Sequence, residues 1–298
     1  MAARIAADRL NELPPDPSMS DPSVFHLRAG HAPVLIVMPH IGTQVPADMA
    51  DHMTEAASQA ADSSWHLDRL YAFASELGAS VLQARYSRHV VDPSPALEAP
   101  GGPFIRGDRV LVPEDTMRGE PLYRSRGMPD ARTRSRLIQE YWQPFHACLA
   151  AELRRLRGEH GQVLLWEAHA TASVLPGRFE GRRPAFCLGT NAGEACAEPV
   201  GRALVGALGK QDICSWVVNG RYNGGVITQR YGCPAEGVHA VALDICQASY
   251  MNEFPPYSYR ADLAGQIELV LEGLFGEVLQ SVAALARAGR GQPDSAAA

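Results

Sequence analysis

The sequence predicts an α/β protein in three layers, a mixed and mostly parallel sheet with helices on both faces. Three observations predict it. Continuous apolar runs at 33–39, 163–166 and 238–244 have the length of strands buried on both sides. Stretches with helical periodicity alternate with these runs, as they do in sheets covered on both faces. The runs also end on polar, chemically capable residues, namely His40, the pair Glu167 and His169, and Asp244. Open α/β sheets gather their ligands just beyond such strand ends.

Taken in order, residues 1–30 are polar and carry Pro14, Pro15, Pro17 and Pro22, which reads as a flexible leader. The first strand, 33–39, ends on proline and delivers His40 into a turn at Gly42. Leu67, Leu70, Tyr71, Phe73, Ala74 and Leu77 give one helical face over 64–77, capped by Asp62 or Ser63. A strand over 79–83 leads into Arg88, His89 and Asp92, and an irregular Pro- and Gly-rich stretch fills 93–129. The longest periodic helix is expected over 130–157, and Gly158 and Gly161 precede the strand that ends at Glu167 and His169. Loop and strand follow at 181–189, a helix at 197–208 and a short strand at 215–219. Glycines at 220, 224, 225 and 232 mark tight turns before the 238–244 strand. An amphipathic helix over 263–285 closes a single domain spanning 31–288, and a disordered tail is expected over 289–298.

Composition bounds the function. With 46% apolar and 20% charged residues the chain has the make-up of a soluble globular protein, and a net charge of −6 argues against nucleic acid or an anionic membrane as partner. No apolar run approaches the roughly 20 residues of a bilayer span, and the first residues lack a secretory apolar core. Six scattered cysteines without a C-x-x-C pair read as free thiols of a cytoplasmic protein and exclude a cysteine zinc site. His66 and His89 read as surface or capping residues, Trp166 as core and Cys246 as a small buried hydrophobe.

Two strand-end histidines with a nearby carboxylate are the minimum for a catalytic zinc with water in its open position. The plainer reading of Glu167-Ala168-His169 is a strand-end histidine hydrogen-bonded by its own glutamate.

Seven segments carry a family resemblance. They are P-H-I-G-T, D-S-S-W-H-L-D-R-L-Y, S-R-H-V-V-D, E-A-H-A, P-G-R-F-E-G with L-G-T-N-A-G, N-G-R-Y-N-G-G-V-I-T-Q-R-Y-G-C-P and D-I-C-Q-A-S-Y-M. In the same order, from about residue 33 to 285, they resemble the N-formylglutamate amidohydrolases, the deformylases of bacterial histidine degradation. That resemblance implies a fold similar to the zinc carboxypeptidases and hydrolysis of N-formyl-L-glutamate to glutamate and formate. It places His40 and His169 as zinc ligands and Asp244 where the family has a glutamate suited to act as general base. Arg88 and Arg221 match arginines suited to bidentate carboxylate binding. Asp92, Asn219, Gly225 and Arg230 fall in the same motifs and are expected near the substrate.

The chain also departs from the family pattern. Ser64 stands where an acid would complete the metal site, so a third ligand must come from Asp62 or Glu167. Glu167 also serves as a second candidate for the base. A D-L-N-R-type segment reads Asp92-Pro93-Ser94-Pro95, and two positions that are usually basic are Asn223 and Gln229. The expectation is therefore a zinc-dependent hydrolase of the N-acyl bond of a small acidic amide, a monomer or homodimer. The alternative is a degenerate member that binds a small ligand or a partner without turnover.

Overall fold

A computed structural model of the chain describes residues 24–95, 111–124, 127–176, 180–220 and 222–290. At its centre is a seven-stranded sheet in the order β1-β3-β2-β4-β7-β5-β6. The strands are β1 (Phe25–Arg28), β2 (Val34–Met38), β3 (Ser80–Ala84), β4 (Val163–Thr171), β5 (Phe186–Gly189), β6 (Trp216–Val218) and β7 (Val238–Cys246). β3, β2, β4 and β7 run parallel, β1 is antiparallel to β3, and β5 reverses against β7 while β6 follows β5 in parallel. The expected mixed, mostly parallel sheet is thus observed. β1 lies within residues assigned above to the leader, because Phe25 has the core to enter and Ala84 to pair with.

Alternation along the strands sorts the core into two layers. Ile36, Leu164, Trp166 and Leu243 face one side, where α1 (Leu67–Leu70), α3 (Glu198–Gly209) and α5 (Ala261–Arg290) cover them. Leu35, Val37, Val163, Leu165 and Ala240 face the other, under α2 (Gln143–His160) and the short α4 (Val226–Tyr231). Glu167, His169 and Asp244 share the parity of this second face, which decides where the site lies.

Some elements differ from the sequence-based expectation. The 64–77 helix is broken into α1 and a 3-10 turn at Ala72–Ser75, because His66 adopts φ 61° and Tyr71 leaves helical geometry at ψ 22°. The 130–157 helix begins at Ala131 and continues to His160 as α2, with one π turn at Ile138–Trp142. Pro144 explains that turn: it lacks an N–H, and its ring would strike the carbonyl of Glu140 in a regular helix. The closing helix α5 runs to Arg290, past its expected end and into the first residues of the expected tail. α5 is long and apolar enough to cross a bilayer by length and mean hydropathy, but Leu271, Leu274, Phe275 and Val278 are spent on the core. The remainder of the expected tail lies outside the described residues.

Two core histidines give the fold an acid limit. His146 is buried between the Tyr231 hydroxyl (2.8 Å) and the Pro93 carbonyl (2.7 Å), and burial pushes it down to about 3. His239 lies between the Ala197 N–H and Gln162, and burial pushes it down to about 4. Both take up protons more readily unfolded, where their pKa is near 6.5. Their contribution is therefore whole above pH ~6.5 and lost as pH falls toward 3–4. Melts from pH 7 to 4 should show a steady loss of stability, on the order of several kcal/mol, and replacing His239 by glutamine should flatten the slope.

Candidate active site

The carboxyl ends of β2, β4 and β7 open into a cavity of about 500 Å³. Its polar lining is His40, Arg88, Asp92, Ser94, His169, Thr171, Arg183 and Asp244, with Cys187 and Tyr222 beside them. His40 follows β2 past Pro39 and His169 sits near the end of β4. Pairing of β2 and β4 brings the two rings together, with centroids 4.7 Å apart and Nδ1 atoms 3.1 Å apart.

Each imidazole is held from behind by a carboxylate. Nε2 of His40 lies 2.8 Å from Asp92 Oδ1, and Nε2 of His169 lies 2.8 Å from Glu167 Oε1. With both Nε2–H groups donating, both Nδ1 atoms present lone pairs to each other across the mouth of the cavity. This is the arrangement by which proteins fix the tautomer and aim of a working histidine. Burial pushes His40 down to about 4, so its imidazole is neutral near pH 7.

The two carboxylates are themselves anchored. Burial alone would raise Asp92, but the Arg88 guanidinium at 2.5 Å and His40 hold it well below the usual carboxylate range. Its Oδ1 also accepts from the Ser94 N–H, and the Ser94 hydroxyl lies 2.9 Å from His40 Nε2. Glu167 is fully buried and accepts from the backbone N–H (2.9 Å) and the hydroxyl (2.6 Å) of Thr228 in the first turn of α4. Burial would raise it too, and its bonds to His169 and Thr228 lower it. Glu167 does not line the cavity, so the structure places it as the support of His169.

Asp244 pairs in register with His169 and does line the cavity. Its Oδ2 accepts from Arg183 Nη2 (2.5 Å) and from the Thr171 hydroxyl (3.0 Å). Other expected residues lie elsewhere. Asp62 accepts from His89 (3.0 Å) and from the Met117 N–H (2.8 Å), so His89 is buried against a carboxylate and is neither exposed nor a cap. Ser64 bonds the N–H and carbonyl of Ala170 through its hydroxyl, and its own N–H donates to the His40 carbonyl. Asn219 braces Thr190, and Arg230 lies over the Trp142 and Tyr231 rings. Gly225 lines the cavity directly against Glu167. Arg221 lies outside the described residues.

The chain matches the family model described as N-formylglutamate amidohydrolase over residues 32–251. It is 42% identical over 257 residues to the N-formylglutamate deformylase of Pseudomonas aeruginosa, covering 86% of this chain and 96% of that one. The chain belongs to the N-formylglutamate amidohydrolase family. A Pseudomonas putida deformylase is 39% identical over 259 residues, with 86% and 96% of the two chains covered. The crystal structure of the Ralstonia eutropha N-formylglutamate amidohydrolase superposes with a TM-score of 0.71 at 21% identity, over 90% of this chain and 98% of that one. An Agrobacterium tumefaciens gene product shares the fold at a TM-score of 0.64 and 17% identity, over 88% and 96%.

The zinc that the family resemblance implies can be tested against the donors present. Two nitrogens on one tetrahedral zinc stand roughly 3.3 Å apart, and the 3.1 Å between the two Nδ1 atoms matches two such corners. A catalytic zinc takes a third protein ligand. Ser64 and Asp62 are committed to other bonds, Glu167 is on the far side of His169, and among the described residues no three His, Cys, Asp or Glu side chains could hold one ion. The donor set among these residues does not fit a three-ligand zinc.

Sequence reasoning missed Arg183 and Thr228. Arg183 stands in a plain G-R-R-P turn before β5, and its partner Asp244 follows 61 residues later. Thr228 lies within the quoted glycine-rich motif, where its pairing with Glu167 has no local signature.

Proposed function

We propose that this family member hydrolyses the N-acyl bond of a small amide of the N-formylglutamate type, releasing the amino acid and formate. The observation that carries the reading is the His40–His169 pair. Two carboxylate-backed imidazoles face each other at the mouth of a cavity large enough for such a ligand, in a chain 42% identical to a deformylase.

In this reading the acyl carbon lies against the two Nδ1 atoms. One imidazole takes a proton from the attacking water as the carbon–oxygen bond forms. That proton passes to the amide nitrogen as the carbon–nitrogen bond breaks, leaving formate and a free amine. Asp92 and Glu167 keep each imidazole in the tautomer this needs. Arg88, anchored by Asp92, supplies positive charge beside the carbonyl oxygen as it becomes an oxyanion. Asp244 is bound to Arg183 and Thr171, so the base role passes to the histidines.

A second reading is favoured by one specific observation, the commitment of Ser64 and Asp62 to other bonds. A member without its third metal ligand would bind the amide and not turn it over. Formate release from N-formyl-L-glutamate and N-formyl-L-leucine, measured together with the zinc content of protein purified without chelator, separates the two. Formate release that survives chelation supports the histidine-centred reading. No formate together with substoichiometric zinc would establish the binding-only reading, and formate dependent on stoichiometric zinc would place a third ligand outside the described residues.

A further inference from the structure

The hydrolytic steps give no part to His146, a buried histidine of α2. Trp142 stands one turn before it, at the end of the π turn, and the two rings stack with centroids 3.9 Å apart. Together they hold one short piece of backbone. His146 Nε2 lies 2.7 Å from the Pro93 carbonyl, and Trp142 Nε1 donates to the Pro95 carbonyl (3.0 Å). Ser94 is the residue between. It lines the cavity, its N–H donates to Asp92 Oδ1, and its hydroxyl lies 2.9 Å from His40 Nε2. The grip on Pro93 and Pro95 therefore sets Ser94 and Asp92, the two groups behind the His40 ring.

The other ring nitrogen of His146 reaches the second imidazole. A carbonyl only accepts, so the His146 proton sits on Nε2, and Nδ1 accepts from the Tyr231 hydroxyl at 2.8 Å. Tyr231 is the last residue of α4. Thr228, one turn earlier, holds Glu167, which in turn holds His169. One imidazole thus bonds both supports at once, that of His40 through Pro93 and that of His169 through Tyr231. His146, Tyr231 and Thr228 are all buried, so a broken bond leaves a polar group unpaired and the backbone moves to satisfy it.

We infer that His146 is a positioning residue of this active site, aligning the His40 and His169 rings by bonding the Pro93–Pro95 segment with one nitrogen and α4 with the other. A shift of either arm turns one ring against the other, which costs rate and not affinity. The inference rests on the reading of His40 and His169 as the hydrolytic pair.

The test reads the Nε2–H protons of His40 and His169 by NMR of protein labelled at its histidine nitrogens. Each signal is identified by its loss in His40→Ala or His169→Ala, and kcat and KM for N-formyl-L-glutamate are taken alongside. Tyr231→Phe cuts only the α4 arm and should move the His169 signal while leaving that of His40. His146→Gln puts an amide N–H where Nε2 stood and should do the same. His146→Phe keeps the stack on Trp142, cuts both arms and should move both signals. In each variant kcat should fall by about 10–100-fold, with KM within about threefold of wild type. Should His146→Phe fail to fold, the two milder variants decide. Unmoved signals, or an unchanged kcat in an active enzyme, reduce His146 to packing and overturn the inference. If the wild type releases no formate, signals that move as stated keep this inference and reject hydrolysis. Formate release with signals that stay in place does the reverse.

Discussion

Replacing Gly225 by alanine is expected to destabilise the protein by about 2–4 kcal/mol and to lower formate release by ~10²-fold in the protein that remains folded. A Cβ at this position would sit 2.1 Å from Glu167 Oε1 and 2.7 Å from its Cδ. Glu167 has nowhere to retreat, since it is fully buried and both its oxygens are bonded to His169 and Thr228. Any shift that relieves the clash breaks at least one of these bonds and turns the His169 ring. Gly206→Ala is the control. Gly206 lies inside α3 with no atom within 4 Å of an added Cβ. Alanine there should be neutral or stabilising by about 0.5–1 kcal/mol. Urea unfolding of the two variants, with formate assayed on each, checks the contrast.

Arg88→Met should cost about 3–5 kcal/mol, because it leaves the Asp92 carboxylate buried without its countercharge. Arg88 is a main reason that Asp92 stays ionised inside the protein. The folded pKa of Asp92 lies below its unfolded value, so the stability it contributes is present above pH ~4 and lost as pH falls through the folded value. Arg88→Met removes much of that contribution. The gap between variant and wild type should therefore be widest near neutral pH and narrow below pH ~4. Arg88→Met/Asp92→Asn should recover part of the loss, and a double-mutant cycle by urea unfolding measures the coupling. Additive losses with no change across pH would show that Arg88 acts through packing alone.

Much of this fold is legible in the sequence because β2, β4 and β7 are buried on both faces. Such strands must be continuous apolar runs, and their polar ends then mark one edge of the sheet. That is how His40, His169 and Asp244 can be assigned to one cavity before any coordinates. The rest depends on partners distant in sequence. Glu167 points the same way as His169, but α4 covers it, and that cover comes from Gly225 and Thr228 some sixty residues later. Asp62 resembles a ligand until His89 is found against it. Arg183 carries no motif, and only the antiparallel return of β5 beside β7 brings it to Asp244. Helix breaks were hidden for a local reason: periodicity marks the apolar face over 64–77 but not the left-handed turn at His66.

The central claim is that the His40–His169 pair performs the chemistry of amide hydrolysis and is not what holds the ligand. Formate release and ligand binding, measured side by side in wild type and His169→Ala, test it most directly. The substitution should abolish formate release, a loss of at least ~10³-fold, while N-formyl-L-glutamate still binds within about threefold of wild type. Formate release unchanged in His169→Ala, or binding lost together with release, would contradict it.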